Sequence, residues 1–207
     1  DLSVAEKGQG LTAWRHWITT PSSEEEALAS AVRALMAKYT IAPAMLEEII
    51  VGVEMDLRIS RYATFADLRL YCYRVASAVG LVSVEIFGYR NPQCREYAIE
   101  LGLALQTTNI IRDVGKDLRS DRVYLPQAEL RQFGVSEGDL FERRDSDSTR
   151  KLIEFQIERA ASYFRAAEPL IGELSFAPRF PTLLRGGLHP TVLNPLRPPP
   201  LVGPRTA

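Results

Sequence analysis

Apolar residues recur along this chain at helical spacing, and no stretch of four or more residues alternates as a half-buried strand would. Leu11, Trp14 and Ile18 form the first apolar stripe, introduced by Ser3 with Glu6 three residues on, the pattern of a capping box. Ser22 with Glu25 and Ser23 with Glu26 repeat that start signal ahead of a helix over Ala27 to Lys38. Pro43 suits the first position of a third helix, which carries Leu46, Ile49, Ile50, Val53 and Leu57. Thr64 and Asp67 open a long helix to about Phe87, closed by Gly88. Asn91 as a cap, with Pro92 at the first helical position, begins another that runs to about Leu118.

Val123-Tyr124-Leu125-Pro126 reads as a short extended link. A minor helix over Gln127 to Gln132 follows and stops at Gly134, and Ser136 with Asp139 opens a further turn. An amphipathic helix from Ser148 to about Leu174 carries Leu152, Phe155, Ile157, Ala160 and Phe164, with Pro169 kinking or ending it. Beyond that the period is lost. Eight of the 13 prolines lie at or after Pro178, so residues 178–207 read as a Pro-rich irregular tail. The pattern predicts an all-α chain with one helical domain over residues 1–177.

Composition narrows the function class. Lys+Arg 25 against Asp+Glu 26 in 207 residues excludes a generic basic nucleic-acid binder, and no nucleic acid is expected as a partner. Two cysteines make no disulfide scaffold and suit a reducing, cytoplasmic setting. Cys72 reads as a buried small hydrophobe and Cys94 as exposed or half-buried. The apolar run Val75 to Val84 is closed by Arg74 and Glu85, shorter than the ~18 residues that span a bilayer, and reads as a core helix.

Chemistry concentrates in Gln106-Thr107-Thr108-Asn109-Ile110-Ile111-Arg112-Asp113-Val114-Gly115-Lys116-Asp117. On a helix, positions 106, 109, 113 and 117 stack on one face as two amides and two carboxylates. Like charges at i and i+4 oppose each other unless a cation sits between them, and Mg²⁺ favours one or two carboxylates with water and phosphate oxygens completing its shell. Spacing alone equally allows a solvated helix face, with Arg112, Lys116 and Arg119 as counter-charges. A second segment places Tyr71, Val75 and Ala78 on one face, followed by small residues that admit a helix or a ligand. His16 and His189 lie at opposite ends without a nucleophile partner, and there is no Gly-rich phosphate loop.

YCYRVASAVGL (71–81) and LGLALQTTNIIRDVGKDLRSDRVYLP (101–126) resemble two signature blocks of the squalene/phytoene synthase family, and the length between them and the EMDLRISRYATFADL run (54–68) fit that family too. The resemblance covers about Ser3 to Leu174. It implies an isoprenoid-synthase-type helical bundle around a central cavity, and a prenyltransferase joining two prenyl diphosphates at their 1′ ends with Mg²⁺. By that resemblance Asp113 and Asp117 are the second aspartate-rich motif and metal ligands, and Gln106 and Asn109 line the diphosphate site. Tyr71, Val75 and Gly80 line the prenyl cavity, with the tyrosine assisting proton handling, and Arg112 and Arg122 offset diphosphate charge.

The small-residue run Val75 to Ser83 with Ile86-Phe87-Gly88 is most similar to presqualene diphosphate synthases, which act on farnesyl diphosphate in squalene and hopanoid biosynthesis. That half-reaction needs no reductant, so NADPH is not implied. The alternatives are a phytoene synthase acting on geranylgeranyl diphosphate, and a non-catalytic fragment or assembly relative. Lipid products make peripheral membrane association an expectation. The family's first aspartate-rich motif, which precedes the segment aligned with Ser3 to Trp17, is not in this sequence, and its last helices are not recognisable. The bundle is therefore expected to be incomplete at both ends.

Overall fold

A computed structural model describes residues 2–168. Among these, the elements are α1 (Val4–Trp17), α2 (Ala27–Tyr39), α3 (Pro43–Arg58), α4 (Phe65–Cys72), α5 (Ala78–Phe87), α6 (Cys94–Asp117), α7 (Gln127–Gln132), α8 (Glu137–Phe141) and α9 (Asp147–Ala167). The all-α expectation holds. The tail 178–207, Pro169 and Leu174 lie outside the described residues.

Most helix starts follow local chemistry. Ser3 and Glu6, Thr64 and Asp67, and Ser136 and Asp139 each form the reciprocal capping box, and Pro43 opens α3. Two starts are displaced, and α2 begins at Ala27 as expected but without the expected cap. Ser22 and Glu25 bond to one another in a turn before α2, whose own cap, Glu26, makes no side-chain bond. Asn91 accepts from the Gln93 amide in a local turn, so α6 begins at Cys94 rather than at Pro92. Cys94 then faces inward on the first turn and is fully buried, against the expectation of partial exposure. Ser146, not Ser148, caps α9.

Helix α6 is the spine. One side packs on α9 through Ala104, Ile111, Ile157, Ala160, Ala161 and Phe164, where alanines allow close approach. Its buried Thr107 and Thr108 hydroxyls donate back to the carbonyls of Leu103 and Ala104, so neither is left unsatisfied. A second core joins Leu68, Tyr71, Leu103, Ile110, Val123, Leu125 and Leu152. Buried Glu129 and Gln156 are bridged by Arg159, whose guanidinium lies 3.6 Å from the Phe65 ring centre. Helix α1 has no buried residue of its own and is held to α3 by Arg15, which bonds Glu47 at 2.7 Å and Glu54 at 3.0 Å.

Residues 60–63 and 123–128 run alongside each other. Val123 donates to the Ser60 carbonyl at 3.0 Å and Gln127 to the Tyr62 carbonyl at 2.9 Å, around a single parallel bridge between Arg61 and Val123. The extended link thereby carries Tyr124 to Tyr62.

Helices α4 and α5 form one continuous run, Phe65–Phe87, interrupted by a π-helical segment at Tyr73–Ser77 that the sequence pattern does not signal. At 23 residues, with an 18-residue window of mean hydropathy 1.4, the run is long and apolar enough to cross a membrane by length and composition alone. Here it packs between α3 and α6.

Candidate active site

Close packing of α5 on α6 frames an apolar groove. A Cβ at Gly102 would fall 2.5 Å from Ser77 Cα, and one at Gly80 would fall 2.9 Å from the Ala98 carbonyl oxygen. Only glycine permits these approaches. Fully buried Ser77 adds a 2.8 Å bond from its hydroxyl to the Ile99 carbonyl. Alongside this contact runs an open groove of about 420 Å³, walled by Val75, Val79, Gly80, Ser83, Leu101 and Leu105. Gln106 and Asn109 line its polar end, and Phe87 and Tyr97 its aromatic end.

Beyond Asn109 the same face of α6 carries Asp113 and Asp117. Asp113 accepts two bonds from Arg112, at 3.0 and 2.6 Å, and this cation holds its carboxyl below the usual aspartate range. Asp117 shifts the other way: burial raises its pKa and the nearby Asp113 and Asp56 carboxylates add to this, which Lys116 and Arg122 offset only in part. Asp117 also lines a narrow cleft with Ile110, Val114, Arg122 and Tyr124.

Behind that cleft lies a polar cluster centred on Asp56, in the last turn of α3. Its carboxylate accepts from the Tyr71 hydroxyl at 3.2 Å, the Tyr124 hydroxyl at 3.1 Å and Arg122 at 3.3 Å, and Arg122 also donates to the Asp56 carbonyl. The rings of Tyr62, Tyr71 and Tyr124 pack mutually with centroids 5.4 to 5.9 Å apart. Burial first, then the neighbouring tyrosine and Asp56, pushes the Tyr71 phenol far above its ordinary value, so it is protonated at neutral pH.

The structure thus gathers Val75, Gly80, Gln106 and Asn109 in one groove, with Asp113 and Asp117 extending its polar stripe. It separates Tyr71, which is 4% exposed and lies in the Asp56 cluster rather than along the groove wall. There its hydroxyl donates to Asp56 and its ring packs against Tyr62 and Tyr124, while the π segment that follows at Tyr73–Ser77 brings Val75 and Ala76 into the groove lining. Arg122 joins that cluster, and Arg112 stays on the outer face as the partner of Asp113. Asp56, Tyr62 and Tyr124 were not singled out by spacing, because they come from three segments joined only by tertiary packing. The extended VYLP link was their one local signal.

The donor set suits a hard divalent cation: two carboxylates one turn apart, amide oxygens on the same stripe, and at Asp117 a carboxylate whose charged form burial and neighbouring carboxylates disfavour. Among the described residues no three His, Cys, Asp or Glu side chains converge to hold a metal. Asp113 and Asp117 would therefore supply part of a coordination shell, leaving positions for phosphate oxygens and water.

A family model described as squalene/phytoene synthase matches residues 1–200. The 15-cis-phytoene synthase of Synechococcus elongatus is 43% identical over 171 residues, covering 77% of this chain and 56% of that protein. The chloroplastic phytoene synthase 1 of Arabidopsis thaliana is 43% identical over 161 residues, covering 74% and 38%. The chain thus spans about half, or less, of the curated relatives it matches. Among solved structures, squalene synthase HpnC from Alicyclobacillus acidocaldarius superposes with a TM-score of 0.77 at 28% identity, covering 93% of this chain and 72% of that one. A dehydrosqualene synthase bound to a ligand gives 0.72 at 24% identity, covering 83% and 60%, and speaks to the fold alone.

Proposed function

The chain belongs to the squalene/phytoene synthase family, and from that premise we propose that it serves the Mg²⁺-dependent head-to-head condensation of two farnesyl diphosphates to presqualene diphosphate. The observation that carries this reading is the continuity of the α5–α6 groove with the stripe Gln106, Asn109, Asp113 and Asp117. A molecule with an apolar tail and an anionic, metal-binding head matches that sequence of surfaces.

Asp113 and Asp117 would hold Mg²⁺, which when bound would supply charge neutralisation for a departing diphosphate. Gln106 and Asn109 orient the head group at the groove's polar end. The apolar walls hold the prenyl chain in register and keep water from an allylic cation. The second farnesyl diphosphate captures that cation through its 2,3 double bond, and loss of a proton closes the cyclopropane. Asp56 and Tyr124 fix the Tyr71 hydroxyl, which as a neutral phenol passes a proton on only as it receives another. Arg122 balances the charge of Asp56 beside the site.

A second reading has its own support: the relatives at 43% identity are named phytoene synthases, which favours a geranylgeranyl substrate. Incubating the protein with Mg²⁺ and either diphosphate, then weighing the products by mass spectrometry, separates the two. Thirty-carbon presqualene diphosphate supports the first reading and a forty-carbon product the second. No condensed product from either substrate contradicts both.

A further inference from the structure

A second cleft, open and about 530 Å³, lies where the last turns of α6 meet α8 and the start of α9. At about 100° per residue, Gly115 and Arg119 each stand roughly 160° round α6 from Asp117, so this is the far side of the helix from the aspartate stripe. Val114, Leu118 and Leu140 line both this cleft and the narrow one beside Asp117, and form the wall between them. The lining is cationic: five Lys and Arg side chains against two carboxylates.

Neither carboxylate is free to balance that charge. Asp139 accepts from the Ser136 amide and hydroxyl at 2.9 and 2.6 Å and pairs with Arg144, and Asp145 pairs with Arg150. Arg119 and Arg143 have no carboxylate partner among the described residues, yet both converge on Gly115. Arg119 donates to the Gly115 carbonyl at 3.1 Å, and an Arg143 nitrogen lies 3.7 Å from where a Gly115 Cβ would stand. Two guanidinium groups brought to one residue without a counter-ion repel each other, and an anion between them turns that repulsion into attraction.

The backbone of α8 points the same way. The helix ends in a Schellman-type cap, in which the Arg143 and Arg144 amides donate to the Leu140 and Asp139 carbonyls at 3.0 and 2.8 Å. Its left-handed position, which favours glycine, is held by Arg143 at φ 53°. Strain is thus retained at the one cap residue whose side chain reaches back to α6.

We propose that this cleft binds a phosphate-bearing anion, with Arg119 and Arg143 as its donors and Lys116 adding charge beside them. The site is separate from the Asp113–Asp117 stripe and needs neither a metal nor a prenyl chain. What it recognises is a phosphoryl group, carried by free diphosphate or by the headgroup of an anionic phospholipid. Phe141, two residues before Arg143, is 43% exposed and suits the second source.

The test has two arms. Sodium diphosphate is titrated by calorimetry in EDTA, so that no metal bridges it to the aspartates. Separately, the protein is sedimented with phosphatidylcholine vesicles with and without phosphatidic acid. Wild type is compared with Arg143→Gly, Arg119→Gln and Lys7→Gln, the last a matched loss of charge in α1, which packs on α2 and α3. Arg143→Gly relieves the cap and should melt about 2 °C higher, so its loss of binding cannot come from unfolding. Affinity for diphosphate, for phosphatidic acid vesicles or for both should fall about tenfold or more in the two arginine variants and stay within about twofold in Lys7→Gln. Loss in the first arm alone identifies a free-anion site, loss in the second alone a headgroup site, and loss in both a site open to either. If wild type binds neither probe, if the arginine variants bind as wild type does, or if Lys7→Gln weakens binding as much as they do, the proposal is overturned and the prenyl diphosphate reading is untouched.

Discussion

Gly102 and Ser77 meet backbone to backbone: a Cβ at position 102 would lie 2.5 Å from Ser77 Cα and 2.6 Å from its nitrogen. No rotamer change relieves a clash between main-chain atoms, so Gly102→Ala must push α6 away from the π segment. A loss of about 3 kcal/mol is expected, at the upper end of overpacking costs. Gly8→Ala is the control. Nothing lies within 4 Å of its Cβ position, and in mid-helix the change should stabilise by about 0.5–1 kcal/mol. Urea unfolding of both variants checks the pair.

Asp56 ties three segments together. Asp56→Ala leaves two phenols and the Arg122 guanidinium without their carboxylate and should cost about 2 kcal/mol, whereas Asp56→Asn retains a neutral acceptor and should cost less. Both should slow condensation. Denaturation midpoints and product formation, measured on the same samples, test this.

The two aspartates of α6 should respond oppositely to pH in metal-free buffer. Asp113, held below its ordinary value by Arg112, contributes stability above about pH 4 that disappears on acidification. The pair is largely exposed, so Asp113→Asn should change stability by no more than about 1 kcal/mol at neutral pH. Asp117 has a raised pKa, so the native state loses stability as pH climbs past the ordinary aspartate value of 3.8. Asp117→Asn should therefore melt at the wild-type temperature near pH 3 and above it near pH 7. A lower melting temperature at pH 7 would contradict the charge assignment.

Arg159 bridges Glu129 and Gln156 beneath α9, far in character from the groove. Removing it leaves a buried carboxylate with only the Gln156 amide beside it, so Arg159→Ala should destabilise by about 3 kcal/mol without weakening the binding of a prenyl diphosphate. Thermal unfolding with parallel binding measurements checks both halves.

What was legible in the sequence was local. Capping boxes at Ser3, Thr64 and Ser136, the opening Pro43 and the stops at Gly88 and Gly134 are decided by neighbouring residues, and the structure keeps them. The stripe Gln106–Asn109–Asp113–Asp117 was equally legible, because a helix's own period aligns it. The displaced start of α6 was not, since Asn91 satisfies its side chain in a turn instead of capping. Nor were the π segment at Tyr73–Ser77 and the Asp56 cluster that engages the Tyr71 hydroxyl, whose members come from separate segments of the chain.

The central claim is that Asp113 and Asp117 hold the metal on which prenyl diphosphate condensation depends. It is tested most directly by single-turnover conversion of farnesyl diphosphate with Mg²⁺, comparing wild type with Asp113→Asn at matched folded fraction. Loss of about a hundredfold or more in the variant is the expected result, the scale of removing a group that stabilises developing charge. Turnover at the wild-type rate in Asp113→Asn would contradict the account.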